Sequence, residues 1–298
     1  MSHKTTPGYL AILGALLVAG CASPQVDEPA LSEDVVAGIS VRAELDPQTG
    51  AVILPADRLK YDQLEEMDLA HATAYAVAAC AEERGVTFAP PESASDPVYR
   101  SETYFGPWTT TQANSFGFVM PMTEADLAAN GIINGTSDNT SAATPNGDLS
   151  EQDWKVIDEC NATDATVQDL VAALHLQGPW MAELAAVEAA VLEDAQIQEI
   201  LSELYDCYEE SGLSPSNSAQ PWLPVGADAS QISEGQIRLA LEVVDCKTQM
   251  DFTQRVADRH AQLQAPIIAE YANELVAQRD RIDEALEMSN DLVAGAKG

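Results

Sequence analysis

The chain is poor in positive charge. Its 298 residues carry 14 Lys and Arg against 48 Asp and Glu, a formal net charge of −34 at neutral pH. Binding along a nucleic-acid backbone needs clustered basic side chains, and the chain has no such cluster, so nucleic acid is excluded as a partner. Histidine is equally sparse. His71, His175 and His260, beyond His3 near the start, each stand alone without H-E-x-x-H or H-x-H spacing, and each is expected to be a packing or surface residue. No G-x-S-x-G, P-loop or G-x-G-x-x-G pattern occurs, so serine-hydrolase, nucleotide and dinucleotide chemistry have no motif behind them. The five cysteines never form C-x-x-C, which argues against zinc, and no metal or cofactor is expected. Past the first twenty residues no apolar run is long enough to cross a bilayer. Apolar carbon, by contrast, is plentiful. With 46% hydrophobic residues the chain can bury a core, as one large domain or two smaller ones.

The address is written at the start. Lys4 precedes an apolar run from Tyr9 to Ala19, too short for a spanning helix and of the length of a signal-peptide core. It ends in Leu17-Val18-Ala19-Gly20-Cys21, which resembles the lipobox of bacterial lipoproteins. That resemblance implies removal of residues 1–20 and lipidation of Cys21, with several acyl chains holding the protein outside the cytoplasmic membrane. Residues 21–37 then read as the lipidated Cys and a flexible tether.

Four cysteines remain: Cys80, Cys160, Cys207 and Cys246. An even count in an exported chain favours two disulfides. Cys80-Ala81-Glu82-Glu83-Arg84-Gly85-Val86 and Cys207-Tyr208-Glu209-Glu210-Ser211-Gly212-Leu213 share the pattern C-x-E-E-x-G-aliphatic, with Gly placed to end a helix. Cys160 and Cys246 each follow acidic residues and each precede an amphipathic run. The chain therefore reads as two degenerate copies, and the simplest pairing lies within copies, Cys80 with Cys160 and Cys207 with Cys246.

The expected fold is mainly α. A small β-hairpin spans Ile39 to Pro55, turning at Asp46-Pro47-Gln48-Thr49-Gly50. Asp62 opens a helix running to Cys80, with Leu64, Met67, Leu69, Ala70, Tyr75, Val77 and Ala78 on its apolar face. A short helix is expected over Glu124 to Ala129 and a polar loop over Asn134 to Gly147; Ser150 caps the next helix. Two disulfide-stapled helical halves follow, divided as residues 38–176 (with the hairpin) and 177–298. The second half ends in a long helix from Asp251 to about Asn290, with Pro266 as a kink. Its stripe, Phe252, Val256, Leu263, Ile267, Tyr271, Leu275, Ile282 and Leu286, either packs on the chain itself or offers an envelope protein a seam. Charge is uneven: residues 101–237 hold 22 acids and the single base Lys155, whereas residues 238–298 hold 11 acids and 7 bases. The near balance of the last stretch predicts side-by-side charge pairs along its helix.

Paired carboxylates occur at Glu65-Glu66, Glu82-Glu83, Asp158-Glu159 and Glu209-Glu210, but glycan hydrolysis needs two carboxyls facing across a cleft, and neighbours in sequence point to different helix sides. Asp138-Asn139 and Asn146-Gly147-Asp148 supply oxygen atoms without the spacing of a calcium loop. Trp108, Trp180 and Trp222 each follow a proline and are read as plugs of helix junctions.

Ile53-Leu54-Pro55-Ala56-Asp57-Arg58, then Tyr61, Cys80 and Gly85, resemble uncharacterised actinobacterial envelope lipoproteins, in which an I-x-L-P-x-D strand precedes a helix ending in C-x-x-x-G. Arg100, Tyr104 and Gly106, then Ala113 and Phe116-Gly117-Phe118, match a later R-x-Y-G … A-x-x-Y-G-Y stretch, with Phe105 inserted and Phe replacing Tyr twice. The resemblance covers residues 50–250 and implies a tethered helical ectodomain accessory to a transporter. The expected function is a non-enzymatic binding or assembly module of the cell envelope. The alternatives are a carboxylate-dependent glycan hydrolase and a solute-binding receptor.

Overall fold

Five residues make the first turn. Asp46 accepts the Gly50 N–H on its carbonyl at 2.8 Å, and its carboxylate takes the Gln48 N–H at 2.9 Å and the Thr49 hydroxyl at 2.7 Å. This closes β1 (Glu44–Asp46) on β2 (Ala51–Ile53), antiparallel with Leu45 opposite Val52. The computed structural model describes residues 41–91, 104–121 and 146–296. The lipobox, the tether, Ile39, Arg100, the helix expected over 124–129 and all but the last two residues of the loop expected over 134–147 lie outside them.

Gly50 is a steric requirement of that turn. Its φ is +78°, and a Cβ there would stand 1.9 Å from Gln112 Nε2. Gly50→Ala is expected to cost about 2 kcal/mol from left-handed strain and overlap together. A lower urea midpoint would show it, whereas a loss of only about 1 kcal/mol would mean that the Gln112 amide moves aside and the left-handed strain alone remains.

After a 3-10 turn at Pro55–Leu59, the remaining architecture is helical. The helices are α1 (Gln63–Glu83), α2 (Thr110–Phe116), α3 (Glu151–Thr163), α4 (Ala165–Leu174), α5 (Pro179–Ala190), α6 (Ala195–Glu210), α7 (Glu234–Gln249), α8 (Phe252–Glu270) and α9 (Ala272–Ala296). Their starts follow from sequence. Asp62, Ser150, Asp164, Asp194 and Ser233 each accept a first-turn backbone N–H, satisfying donors that the helix leaves unpaired. Among the described residues no helix is long and apolar enough to cross a membrane.

The disulfides join Cys80 to Cys160 and Cys207 to Cys246, the pairing expected from the repeat. The two C-x-E-E-x-G stretches also end their helices alike. Gly85 and Gly212 have φ of +84° and +78°, and the next residue's N–H reaches back five positions, Val86 to Ala81 O and Leu213 to Tyr208 O.

Three of the apolar clusters among the described residues organise the helices, and a smaller one seats the hairpin on α8 through Ala43, Leu54 and Ala257. The first joins α1, α3, α4 and the middle of α9 through Leu69, Val77, Ile157, Leu170 and Ile282. The second joins α2, α6, α7 and the start of α8 through Ala113, Leu204, Tyr208, Val243 and Phe252. Between them Trp180 and Leu184 of α5 meet Ile267, Ile268 and Leu275. The C-terminal stripe thus runs through all three clusters and is taken up by the chain's own helices. Pro266 sits exposed inside α8, and the long helix divides at Tyr271, where ψ is 25°. Hydrogen bonds from Tyr271 N to Ile267 O and from Leu275 N to Tyr271 O, each 3.0 Å, keep α8 and α9 nearly continuous. Pro266 lies inside α8 without ending it, and the helix divides instead five residues later, at Tyr271.

The charge pairing follows the expectation only in part. Arg279 pairs with Asp283 along its own helix, but it also grips Glu65 of α1 at 2.9 and 3.0 Å. Arg255 and Arg259 of α8 reach across to Glu203 and to Asp194, the N-cap of α6. Arginines of the balanced C-terminal stretch therefore answer acids of the excess-acid middle. Arg259 holds the Asp194 carboxyl below the usual range, and Arg255 does the same for Glu203.

Candidate functional site

Two concavities stand out. The larger, about 900 Å³, is a groove between α1, the start of α4 and the last turns of α9. Tyr75 and Phe88 give it aromatic walls, Met288 and Leu292 an aliphatic one, and Glu82 and Asp291 are exposed at its edge. Ala78 and Ala79 on α1 leave the room, because a small side chain there cannot fill the gap. Phe88 also packs edge-on against Trp154, whose indole is 42% exposed.

The smaller, about 360 Å³, lies beside the turn Tyr104–Pro107 and is lined by β1, α2, α7 and α8. Phe105 (φ +54°) and Gly106 (φ +80°) bend the backbone so that both Phe105 O and Pro107 O accept from Lys247 Nζ, the latter at 3.0 Å. The Phe105 ring packs among Tyr104, Trp222 and Phe252, and the Lys247 ammonium stands 5.5 Å from the Phe252 ring centre. Lys247 is 2% exposed, and burial pushes its ammonium down to about 7. The two carbonyls work against that fall, because the charged ammonium is a stronger donor to them than the neutral amine.

On the turn's other side Tyr104 meets His260. The hydroxyl is 3.1 Å from His260 Nδ1, and His260 Nε2 stands 3.0 Å from Glu188 Oε2, off the line of a straight hydrogen bond. Burial raises the Tyr104 phenol, and the His260 contact lowers the Glu188 carboxyl. A carboxylate–imidazole–phenol chain has the parts of a proton relay. Its imidazole is fully buried and its phenol oxygen is engaged by that imidazole, so the chain positions the turn.

Comparison with protein-family models, with curated proteins and with solved structures finds no match.

The residues singled out from sequence are spread over the fold. The cysteine pairs staple α1 to α3 and α6 to α7. His175 is exposed on its own carbonyl contact to Val171, and His71 packs edge-on against Tyr75. Trp180 is 1% exposed against Gly178, the Trp108 indole donates to Gly50 O of the hairpin turn at 2.8 Å, and the half-buried Trp222 ring packs edge-on against Phe105 at 4.9 Å. Of the carboxylate pairs, Glu65 is held by Arg279 and Glu159 by Arg84, while Glu82 lines the larger groove. Among the described residues no group of three His, Cys, Asp or Glu could hold a metal.

Lys247 and the role of His260 were missed from sequence, though each leaves a signal. Lys247 falls three and four residues after Val244 and Val243, on the buried face of α7. His260 continues the step of four set by Phe252 and Val256. A polar residue on an apolar stripe marks a buried polar contact.

Proposed function

We propose that the protein is a lipid-anchored, extracytoplasmic module that binds another envelope protein without catalysing a reaction, as an accessory to a transporter. The observation that carries this reading is the groove of about 900 Å³ beside the C-terminal helix. Aromatic and aliphatic walls with an exposed acidic edge suit a basic, amphipathic segment of a partner. The partner would thus meet the end of α9 through Met288 and Leu292, because the main stripe of α8 and α9 is already buried. The lipobox-like Leu17–Cys21 supports the anchor, and the disulfides support an oxidising compartment. Glu82 and Asp291 are both exposed, whereas the acid of a glycan hydrolase needs a carboxyl taken out of water.

Crosslinking and capture from native membranes tests the proposal. Wild-type protein is expected to retain one defined membrane partner, and Phe88→Asp with Leu292→Asp is expected to cut its recovery by about tenfold. Capture of no stable partner by folded wild-type protein would sink the reading. Cys21→Ala is the arm for the anchor and should release the protein from the membrane fraction.

A further inference from the structure

We propose that the cavity beside Lys247 is a binding site for a small monocarboxylate. The first ground is the company that Lys247 keeps. An ammonium has three donors, and in this structure two of them go to neutral carbonyls, Phe105 O and Pro107 O. Among the described residues no carboxylate forms an ion pair with it, in a chain that has 48 acids to offer. A buried cation is ordinarily paired, because desolvation costs several kcal/mol unless an anion offsets it. Lys247 is also one of the residues that line a cavity.

The rest of the cavity fits the same ligand. Thr109 and Thr253, 7% and 6% exposed, line the same cavity, and a threonine hydroxyl can donate to a carboxylate oxygen. Trp108, Leu45 and Val244 supply an apolar wall for a short carbon chain. A volume of about 360 Å³ lies at the small end of ligand cavities. Asp251 is the other charged lining residue, and it bars a second negative charge. One cation and one carboxylate therefore select a monoanion over a dicarboxylate, sulfate or phosphate. Burial also leaves Lys247 poised near neutrality, so a bound carboxylate would restore its charge.

The cavity (β1, α2, α7, α8) and the groove (α1, α4, α9) use different elements, so this inference stands apart from the proposed partner. The test uses the full chain with ¹³C-labelled lysine and sodium butyrate as the probe, against sodium chloride at equal ionic strength. The Lys247 Cε signal is expected to shift saturably with half-saturation at about 1 mM, and Thr253→Val is expected to weaken the response about fivefold. Lys247→Met should abolish the butyrate-dependent rise in melting temperature; if that variant does not fold, the Thr253→Val titration decides. No saturable shift up to about 100 mM butyrate would overturn the proposal. An equal response to succinate or sulfate would overturn it too.

Discussion

Removing the Cys80–Cys160 disulfide by a double alanine substitution is expected to lower the unfolding free energy by about 4.5 kcal/mol, and removing Cys207–Cys246 by about 4 kcal/mol. The loops closed are 80 and 39 residues long, and the entropy of closing a loop grows only with the logarithm of its length. The two losses should therefore be nearly equal although one loop is twice the other. Each bridge also joins the two helices of its own copy, α1 to α3 and α6 to α7, so both clusters lose a staple. Urea denaturation of the two variants measures this, and losses under about 1 kcal/mol would mean that contacts hold the helices without the bridges. Reduction should be ordered. Cys207 is half-buried while Cys80 and Cys160 are 7% and 0% exposed, so a reductant reaches Cys207–Cys246 first.

The second large effect is a dependence on pH that belongs to Lys247. Its ammonium falls from an ordinary 10.5 to about 7 in the folded chain. Between those values the unfolded chain binds more protons than the folded one, so stability from this group rises with pH. It is fully present above about 10.5 and is lost as pH falls through about 7, where the folded chain must charge a buried amine. A chain of net charge −34 also repels itself more as pH rises, so the quantity to follow is the difference between wild type and Lys247→Met. That difference should grow in favour of wild type by about 2–4 kcal/mol between about pH 6 and pH 10, less than the full shift allows because the two carbonyls favour the charged amine. Parallel stability–pH curves for the two proteins would show that Lys247 titrates in water-like surroundings.

Much of the fold was legible because it rests on local chemistry. Asp46 and Gly50 make the turn, Asp62 and Ser150 cap their helices, and Gly85 and Gly212 end theirs, each through atoms within five residues. The α1 face was read less well. Leu69 and Val77 are buried as expected, but Ala72, Ala76 and Ala81 are buried beside them while Ala70 is exposed. Alanine carries too little apolar area to mark a face, although its small size is what lets α4 and α9 approach α1. The candidate sites were hardly legible at all. Tyr104, Glu188 and His260 are separated by up to 156 residues, and no spacing rule connects them.

The sequence by itself determined the helical class, the hairpin, the disulfide pairing and the acid-rich middle. Each depends on residue type or on contacts close along the chain, and the repeated C-x-E-E-x-G marked which cysteines belong together. Only the tertiary structure decided where the C-terminal stripe goes, which acids the arginines meet and that Lys247 is buried. An amphipathic face specifies that it will be covered but not by what, because the hydrophobic effect has no direction. The covering partner is chosen by the packing of all the helices together, and that packing also left the groove at α9 and the cavity at Lys247 open.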